Sequence, residues 1–243
     1  MYFTDIHCHM LPGADDGSKS REESLEMLKI AYQEGIRRVC VTPHYQPDRF
    51  AVDENMLQEQ YTWLETMAGR LDSRMEIVLG NEMFFGQDAM DELEEGRCRT
   101  LNNSGYVLVE FHPGVEYPYI VSGLSQLMSR GYEPVLAHVE RYEALTENRR
   151  RVRELRERGV VIQVNAGTIT GMFGRSAEKF ARKILKERLA DVVSTDSHSS
   201  RRRAPRLTEC FELVARKYGA EYAELLFAVN PQRILENKKV GDI

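Results

Sequence analysis

Seven short runs rich in apolar and β-branched residues recur along the chain, at 2–7, 38–42, 76–79, 106–110, 134–138, 160–165 and 191–195. A longer stretch of helical periodicity follows each of them, at 21–34, 54–72, 89–94, 119–130, 147–158, 176–188 and 205–218, and one more closes the tail at 220–228. This alternation constrains the fold more than any other feature. Runs such as Val39-Cys40-Val41, Ile77-Val78-Leu79 and Val107-Leu108-Val109 offer no polar face, so they fit strands covered on both sides. Strands of that kind separated by helices are parallel βα units of an α/β fold. Periodicity alone leaves a closed barrel and an open sheet equally available. The first helix carries its own boundaries. Ser20-Arg21-Glu22-Glu23 is a capping box, Gly35 offers a left-handed stop, and Leu25, Leu28, Ala31 and Tyr32 form one apolar stripe.

The 243 residues suit one α/β barrel, and no linker, repeat or low-complexity stretch divides them, so residues 1–243 are expected to form a single domain. Hydrophobic residues at 42% and charged residues at 29% argue against disorder. No apolar stretch approaches the ~18 residues of a membrane span, and Met1-Tyr2-Phe3 leads into a strand rather than a signal sequence. A cytoplasmic protein that is not membrane-embedded is expected. The net charge of −5 disfavours a general nucleic-acid binder. Cys8, Cys40, Cys98 and Cys210 share no Cys-x-x-Cys spacing, which removes a zinc ribbon or dithiol redox pair and leaves buried thiols.

Parallel α/β folds collect their chemistry at the C-terminal ends of strands. Here those ends read His7-Cys8-His9 with Asp16 soon after, then His44, Glu82, Glu110, His138, Asn165, and Asp196-Ser197-His198. Five of the chain's six histidines lie at these positions. Any one of them alone is ordinarily a core histidine, and a lone aspartate is ordinarily a turn former. Residues i and i+2 of a strand face the same way, however, so His7 and His9 can share a metal. Independent structural causes would have to repeat at matching positions on six units to produce the whole set. His7, His9, Asp16, His44, Glu82, Glu110, His138, Asp196 and His198 are therefore the candidate ligands.

Nine ligands are too many for one ion and suit two or three divalent ions, with a carboxylate such as Glu82 bridging. Mixed imidazole and carboxylate donors favour Mn²⁺, Fe²⁺ or Zn²⁺ over an all-oxygen Ca²⁺ site. Four carboxylates against three divalent ions leave about +2, which a bridging hydroxide and a phosphate dianion would neutralise. Arg141 and Arg203 follow His138 and His198 closely enough to fork onto phosphate oxygens, whereas Arg201 and Arg202 read as a solvated run. Cys210 and Arg216 match the Cys-x5-Arg spacing of cysteine phosphatases. The residues between them form a helical, partly buried run, so the match is read as chance. His112 either lines the pocket mouth or sits in a surface loop.

Asp5-Ile6-His7-Cys8-His9, Asp15-Asp16-Gly17, Ser20-Arg21-Glu22-Glu23-Ser24, Ala137-His138-Val139-Glu140-Arg141-Tyr142, Gln163-Val164-Asn165 and Asp196-Ser197-His198 together resemble the polymerase-and-histidinol-phosphatase (PHP) superfamily. Within it they are similar to the CpsB/CapC bacterial protein-tyrosine phosphatases, over nearly the whole chain as far as Asn230-Pro231. The resemblance implies a distorted (β/α)7 barrel of the PHP type with its metal site at the C-terminal ends of the strands. It implies a metal-dependent, usually manganese-dependent, phosphotyrosine phosphatase acting on the tyrosine-rich tail of a bacterial tyrosine kinase that controls capsule or exopolysaccharide synthesis. The family's nine ligand positions are all filled by its residue types, and its phosphate-contacting arginines correspond to Arg141 and Arg203. If a general acid is used, Asp196 is a candidate. Histidinol-phosphate phosphatase is the nearest rival, sharing the metal site and differing in the pocket. A nuclease of the same fold is disfavoured by the negative charge, and a non-catalytic interaction module by the complete ligand set.

Overall fold

In the computed structural model, residues 1–46, 48–50, 53–86 and 88–241 are described. The chain opens on β1 (Phe3–Cys8), whose six residues are all buried. Next come α1 (Arg21–Gln33), β2 (Ile36–Val41), β3 (His44–Tyr45), α2 (Glu54–Leu71), β4 (Glu76–Leu79), β5 (Glu82–Phe84) and α3 (Ala89–Glu94). They are followed by β6 (Tyr106–Glu110), α4 (Tyr117–Ser129), β7 (Glu133–Leu136), α5 (Glu143–Glu147), α6 (Arg150–Glu157) and β8 (Val161–Asn165). The last part comprises α7 (Ala166–Ile169), α8 (Arg175–Lys186), β9 (Val192–Ser194), α9 (Thr208–Tyr218), α10 (Ala220–Glu224) and α11 (Asn230–Leu235).

All pairings between these strands are parallel. They form one sheet in the order β1-β2-β4 and another in the order β3-β5-β6-β7-β8-β9. The sequence predicts seven strands, and nine form among the described residues because two short strands, β3 and β5, follow the predicted runs at 38–42 and 76–79. Pro43 has no N–H to donate, so the β2 ladder stops at Val41 and the chain restarts as β3. Beside it, Gly80 and Asn81 interrupt β4. A Cβ on Gly80 would lie 2.9 Å from Leu101, and the Asn81 amide donates to the Pro43 carbonyl at 2.9 Å. The sheet curls until the segment after β9 meets β1. Asp196 N–H donates to the His7 carbonyl at 2.9 Å, and His9 N–H to the Ser197 carbonyl at 2.9 Å.

The helix boundaries follow local chemistry. Ser20 accepts the Glu23 N–H at 3.3 Å, but Glu23 reaches back to Lys19 N–H, at 3.0 Å, rather than to Ser20, so the capping box closes one residue early. Gly35 takes φ +82°, the left-handed stop. The buried face of α1 is Ser24, Met27, Leu28 and Ala31, with Leu25 and Tyr32 at its margin. The predicted helix at 147–158 forms as α6, and the separate short helix α5 ends just before it at Glu147. The one at 205–218 begins at Thr208, where Glu34 accepts its N–H at 2.9 Å. Past 220 the helix runs on through one wide turn into α11, where Asn230-Pro231 opens a new first turn. α7 lies in a stretch with no predicted element.

Alternation along the strands sorts side chains into two layers. Outward residues such as Val39, Val41, Val107, Val109, Ile162 and Val164 pack against the helices. Inward residues Ile6, Cys40, Val78, Leu108, Val135, Val161 and Val192 fill the space the sheet encloses, closed below by Leu101, Tyr106, Ile234 and Leu235. Continuing the inward parity upward from Cys40, Val78, Leu108, Val161 and Val192 leads to His44, Glu82, Glu110, Asn165 and Asp196. The interior is thus apolar at its base and ionisable at its top.

A candidate metal centre at the strand ends

Parity would turn His138 outward, since it follows inward Ala137. It adopts a left-handed backbone (φ 35°, ψ 59°) instead, and its N–H donates to Gln163 Oε1 at 2.7 Å. Asp196 is also left-handed, at φ 49°. Such conformations cost about 1 kcal/mol or more in a non-glycine residue and persist where surrounding contacts hold them. In β1 the register against β2 slips between Asp5 and Cys8, and Asp5 accepts the His7 N–H at 3.3 Å. This irregularity lets His7 and His9 join the interior beside Ile6.

The nine candidate ligands converge. His9, Asp16, His44 and His198 form one group, His7, His9, Glu82 and Asp196 a second, and His44, Glu82 and Glu110 a third, with ligand atoms within 4.8 Å of one another in each. His138 Nε2 lies 2.8 Å from Glu82 Oε1 and 3.6 Å from Glu110 Oε2. Glu82 belongs to two groups, as a bridging carboxylate must.

The protonation pattern shows what the centre is fitted for. Gln163 Oε1 accepts the His138 N–H, so that atom is the oxygen, and His7 Nδ1, 3.2 Å from it, must carry its proton. His9 Nδ1 likewise donates to Asp15 Oδ2 at 2.7 Å. Once the rings are neutral, as metal ligation requires, both Nε2 atoms present lone pairs, and they face each other at 3.1 Å. Glu82 Oε2 lies 3.1 and 3.2 Å from them, and Asp196 Oδ1 3.4 and 3.5 Å. Both carboxylate oxygens are buried without a hydrogen-bond partner. A single proton satisfies one such pair, whereas a divalent cation satisfies all four atoms, so the residues present fit a metal.

The electrostatics agree. Burial opposes protonation of His7, but Glu82 and Asp196 outweigh it and raise the imidazole. His9 is raised further, by Asp15 and Glu82 against burial, and His44 is raised by Glu110 and Glu82. His198 goes the other way, pushed down to about 4 by burial and by His9, and is a neutral donor at physiological pH. Burial works against ionisation of Glu82 and Asp196, yet His7 and its neighbours hold both well below the usual carboxylate range. In the metal-free centre the protonated imidazoles and the two arginines balance these carboxylates, so metal binding must displace protons from the histidines.

Arg141 and Arg203 face this centre. Their Nη2 atoms lie 2.6 and 2.8 Å from Asp196 Oδ2, and Asn165 Nδ2 donates to the same oxygen at 2.7 Å. Both arginines are partly exposed, so they border the opening, while Arg201 and Arg202 are fully at the surface. Cys210 is buried in α9 with its thiol pushed up by burial, which removes it as a nucleophile. His112 is an exposed turn residue whose Nδ1 accepts the Gly114 N–H at 3.2 Å.

Three supporting residues, Asp15, Gln163 and Asp5, receive no role from the sequence. Asp15 orients His9 and accepts the His44 N–H at 2.9 Å. Gln163 holds His7 and the His138 backbone and donates to Asn165 Oδ1 at 2.8 Å. Asp5 accepts the Thr195 N–H at 3.0 Å, which ties β1 to the segment carrying Asp196. The available signal was inward parity for Gln163 and Asn165 on β8, and the doubled acid of Asp15-Asp16-Gly17. That motif does not say which carboxylate ligates. Gly17 is obligatory, since a Cβ there would lie 2.2 Å from the His9 carbonyl oxygen.

The family model for capsular polysaccharide synthesis, CpsB/CapC, matches residues 3–236. Tyrosine-protein phosphatase CpsB of Streptococcus pneumoniae is 36% identical over 241 residues, covering 97% of this chain and 99% of that protein. Tyrosine-protein phosphatase YwqE of Bacillus subtilis is 28% identical over 237 residues, covering 97% and 92%. A crystal structure from work on YwqE and on CpsB of S. pneumoniae, described there as metal-dependent tyrosine phosphatases, superposes with a TM-score of 0.90 at 28% identity, covering 99% of this chain and 97% of that one. A β-aspartyl dipeptidase from Fervidobacterium islandicum shares the fold alone, with a TM-score of 0.60 at 13% identity. The chain belongs to the CpsB/CapC family of capsular polysaccharide synthesis proteins.

Proposed function

We propose that this protein is a metal-dependent protein-tyrosine phosphatase, hydrolysing the phosphomonoester of phosphotyrosine. Residues 1–243 act as one domain, a distorted (β/α)7 barrel of the PHP type, in the cytoplasm. The substrate is a phosphotyrosine-bearing protein, the tail of a bacterial tyrosine kinase that regulates capsule synthesis. One observation carries the reading: four buried potential ligand atoms, on His7, His9, Glu82 and Asp196, converge within 4.8 Å of one another beside two partly exposed arginines.

His7, His9, Asp16, His44, Glu82, Glu110, His138, Asp196 and His198 hold two or three divalent ions, Mn²⁺ foremost, with Fe²⁺ and Zn²⁺ as alternatives. Such ions supply Lewis acidity toward phosphoryl oxygens and make a water ligand acidic. Arg141 and Arg203 bind the phosphate and stabilise charge on its non-bridging oxygens. Asp196 fixes both guanidinium groups, and with Asn165 behind it cannot swing away. It stays ionised, so it has no proton to give the leaving group. A phenolate needs little such help, because its conjugate acid has a pKa of about 10.

The test is phosphate release from a phosphotyrosyl peptide, with added Mn²⁺ and with excess chelator. Release that requires Mn²⁺ is expected. No release from protein shown to contain its metals would overturn the tyrosine reading in favour of a small phosphoester such as histidinol phosphate.

A further inference from the structure

We propose that Phe173 receives the aryl ring of the substrate, so that preference for a phosphate on an aromatic alcohol resides in the turn after α7. This rests on the phosphatase reading above and adds the residue that selects the alcohol.

The turn leaves the centre directly. Asn165, which holds Asp196, ends β8, and α7 begins at the next residue. The chain then reverses through Gly171 (φ +94°) and Gly174 (φ +92°), and Met172 N–H donates to the Gly167 carbonyl at 2.8 Å. A Cβ on Gly167 would meet Met172 Sδ and Phe173 Cε2, both at 3.2 Å, so the turn packs directly on the α7 backbone. Phe173 is therefore held from behind and still 40% exposed. Its ring centroid is 5.9 Å from the Arg141 guanidinium carbon. With Met172, Thr195 and Arg203 it also lines a cavity of about 80 Å³.

The phenyl ring of phosphotyrosine begins one oxygen beyond phosphorus. A phosphate held by Arg141 and Arg203 would set that ring down next to Arg141, where Phe173 stands 5.9 Å away, and aromatic pairs form at centroid separations of roughly 4.5–7 Å. An alkyl phosphate has nothing to place there. One exposed phenylalanine is unremarkable anywhere on a surface. This one is braced by a tight glycine contact and lies over the Arg141 guanidinium.

The experiment compares phenylphosphonate and methylphosphonate as competitive inhibitors of the Mn²⁺-loaded protein, wild type and Phe173→Ala, with phosphate release from the phosphotyrosyl peptide followed in parallel. Wild type should bind the aryl compound about tenfold more tightly. In Phe173→Ala that ratio should fall toward one, with KM for the peptide raised and kcat little changed. Gly167→Ala, which pushes on the Met172 and Phe173 side chains but keeps the ring, should lower the ratio less than Phe173→Ala does, and Phe173→Tyr should keep it near the wild-type value. Equal weakening of both inhibitors by Phe173→Ala would make Phe173 a mere brace for Arg141 and overturn the assignment, as would an unchanged ratio. A wild-type protein that hydrolyses no phosphotyrosyl peptide and binds neither phosphonate would instead overturn the phosphatase reading itself.

Discussion

Asp15→Asn changes one atom and should disable the metal centre without removing a ligand. Asp15 Oδ2 accepts from His9 Nδ1 at 2.7 Å and from the His44 N–H at 2.9 Å, while Oδ1 accepts from the Gly17 N–H at 2.8 Å. Every neighbour is a donor, and an asparagine can turn its oxygen to one side only. With the oxygen toward Gly17, the amide NH₂ faces His9 Nδ1, which must then become the acceptor. The His9 proton moves to Nε2, the nitrogen that would otherwise ligate a metal. With the oxygen toward His9, the NH₂ opposes the Gly17 N–H and strains the turn that must pass over His9. Either arrangement leaves a mostly buried donor opposed, at about 1–3 kcal/mol. Perturbing the residue that orients a metal-bound histidine costs about 10–100-fold in metal affinity. Competition with a chelating indicator, for wild type and Asp15→Asn, reads that loss directly. Affinity within twofold of wild type, in a variant that melts normally, would refute the assignment of His9 as a ligand oriented through Asp15.

His138→Ala and Asp196→Ala should each abolish turnover on the phosphotyrosyl peptide, and surviving activity in both would dismantle the site assignment. Cys210→Ser should leave turnover near wild type and cost about 1–3 kcal/mol of stability, since it buries a hydroxyl in an apolar site; a folded, inactive variant would restore the cysteine mechanism. Tyr142→Phe strips the buried acceptor from the Phe111 N–H, 3.2 Å away, and should destabilise by about 1–3 kcal/mol in thermal or denaturant unfolding. His7, His9 and His44 are all raised in the metal-free centre and must shed protons to ligate. The Mn²⁺ concentration for half-saturation should therefore climb as pH falls, beginning above the ordinary imidazole value of about 6.5. Calorimetric titrations between pH 6 and 8.5 would contradict this if half-saturation stayed constant.

The strand-and-helix alternation and the nine ligand candidates are legible in the sequence because both depend on local order. An apolar run of five residues declares a buried strand. A polar residue just beyond its end declares the functional rim of a parallel sheet. Family resemblance then gave those positions a chemistry. The breaks at Thr42-Pro43 and Gly80-Asn81 were less legible, because a proline or glycine near a strand end equally well reads as a loop.

The tertiary structure alone decided how the ligands are held. His138 faces inward through a left-handed backbone that its sequence neighbours do not require, secured by Gln163 from another strand. Asp15 and Asp16 are adjacent in sequence, yet one orients His9 and the other offers a ligand atom. Phe173 lies 32 residues beyond Arg141 in the chain and comes near it because β7 and β8, which precede them, are paired neighbours. The sequence determined which residues reach the rim, since strand period and strand end are properties of consecutive residues. Closure of the sheet determined which atoms face one another, since tautomer, hydrogen-bond partner and substrate contact are set by residues far apart along the chain.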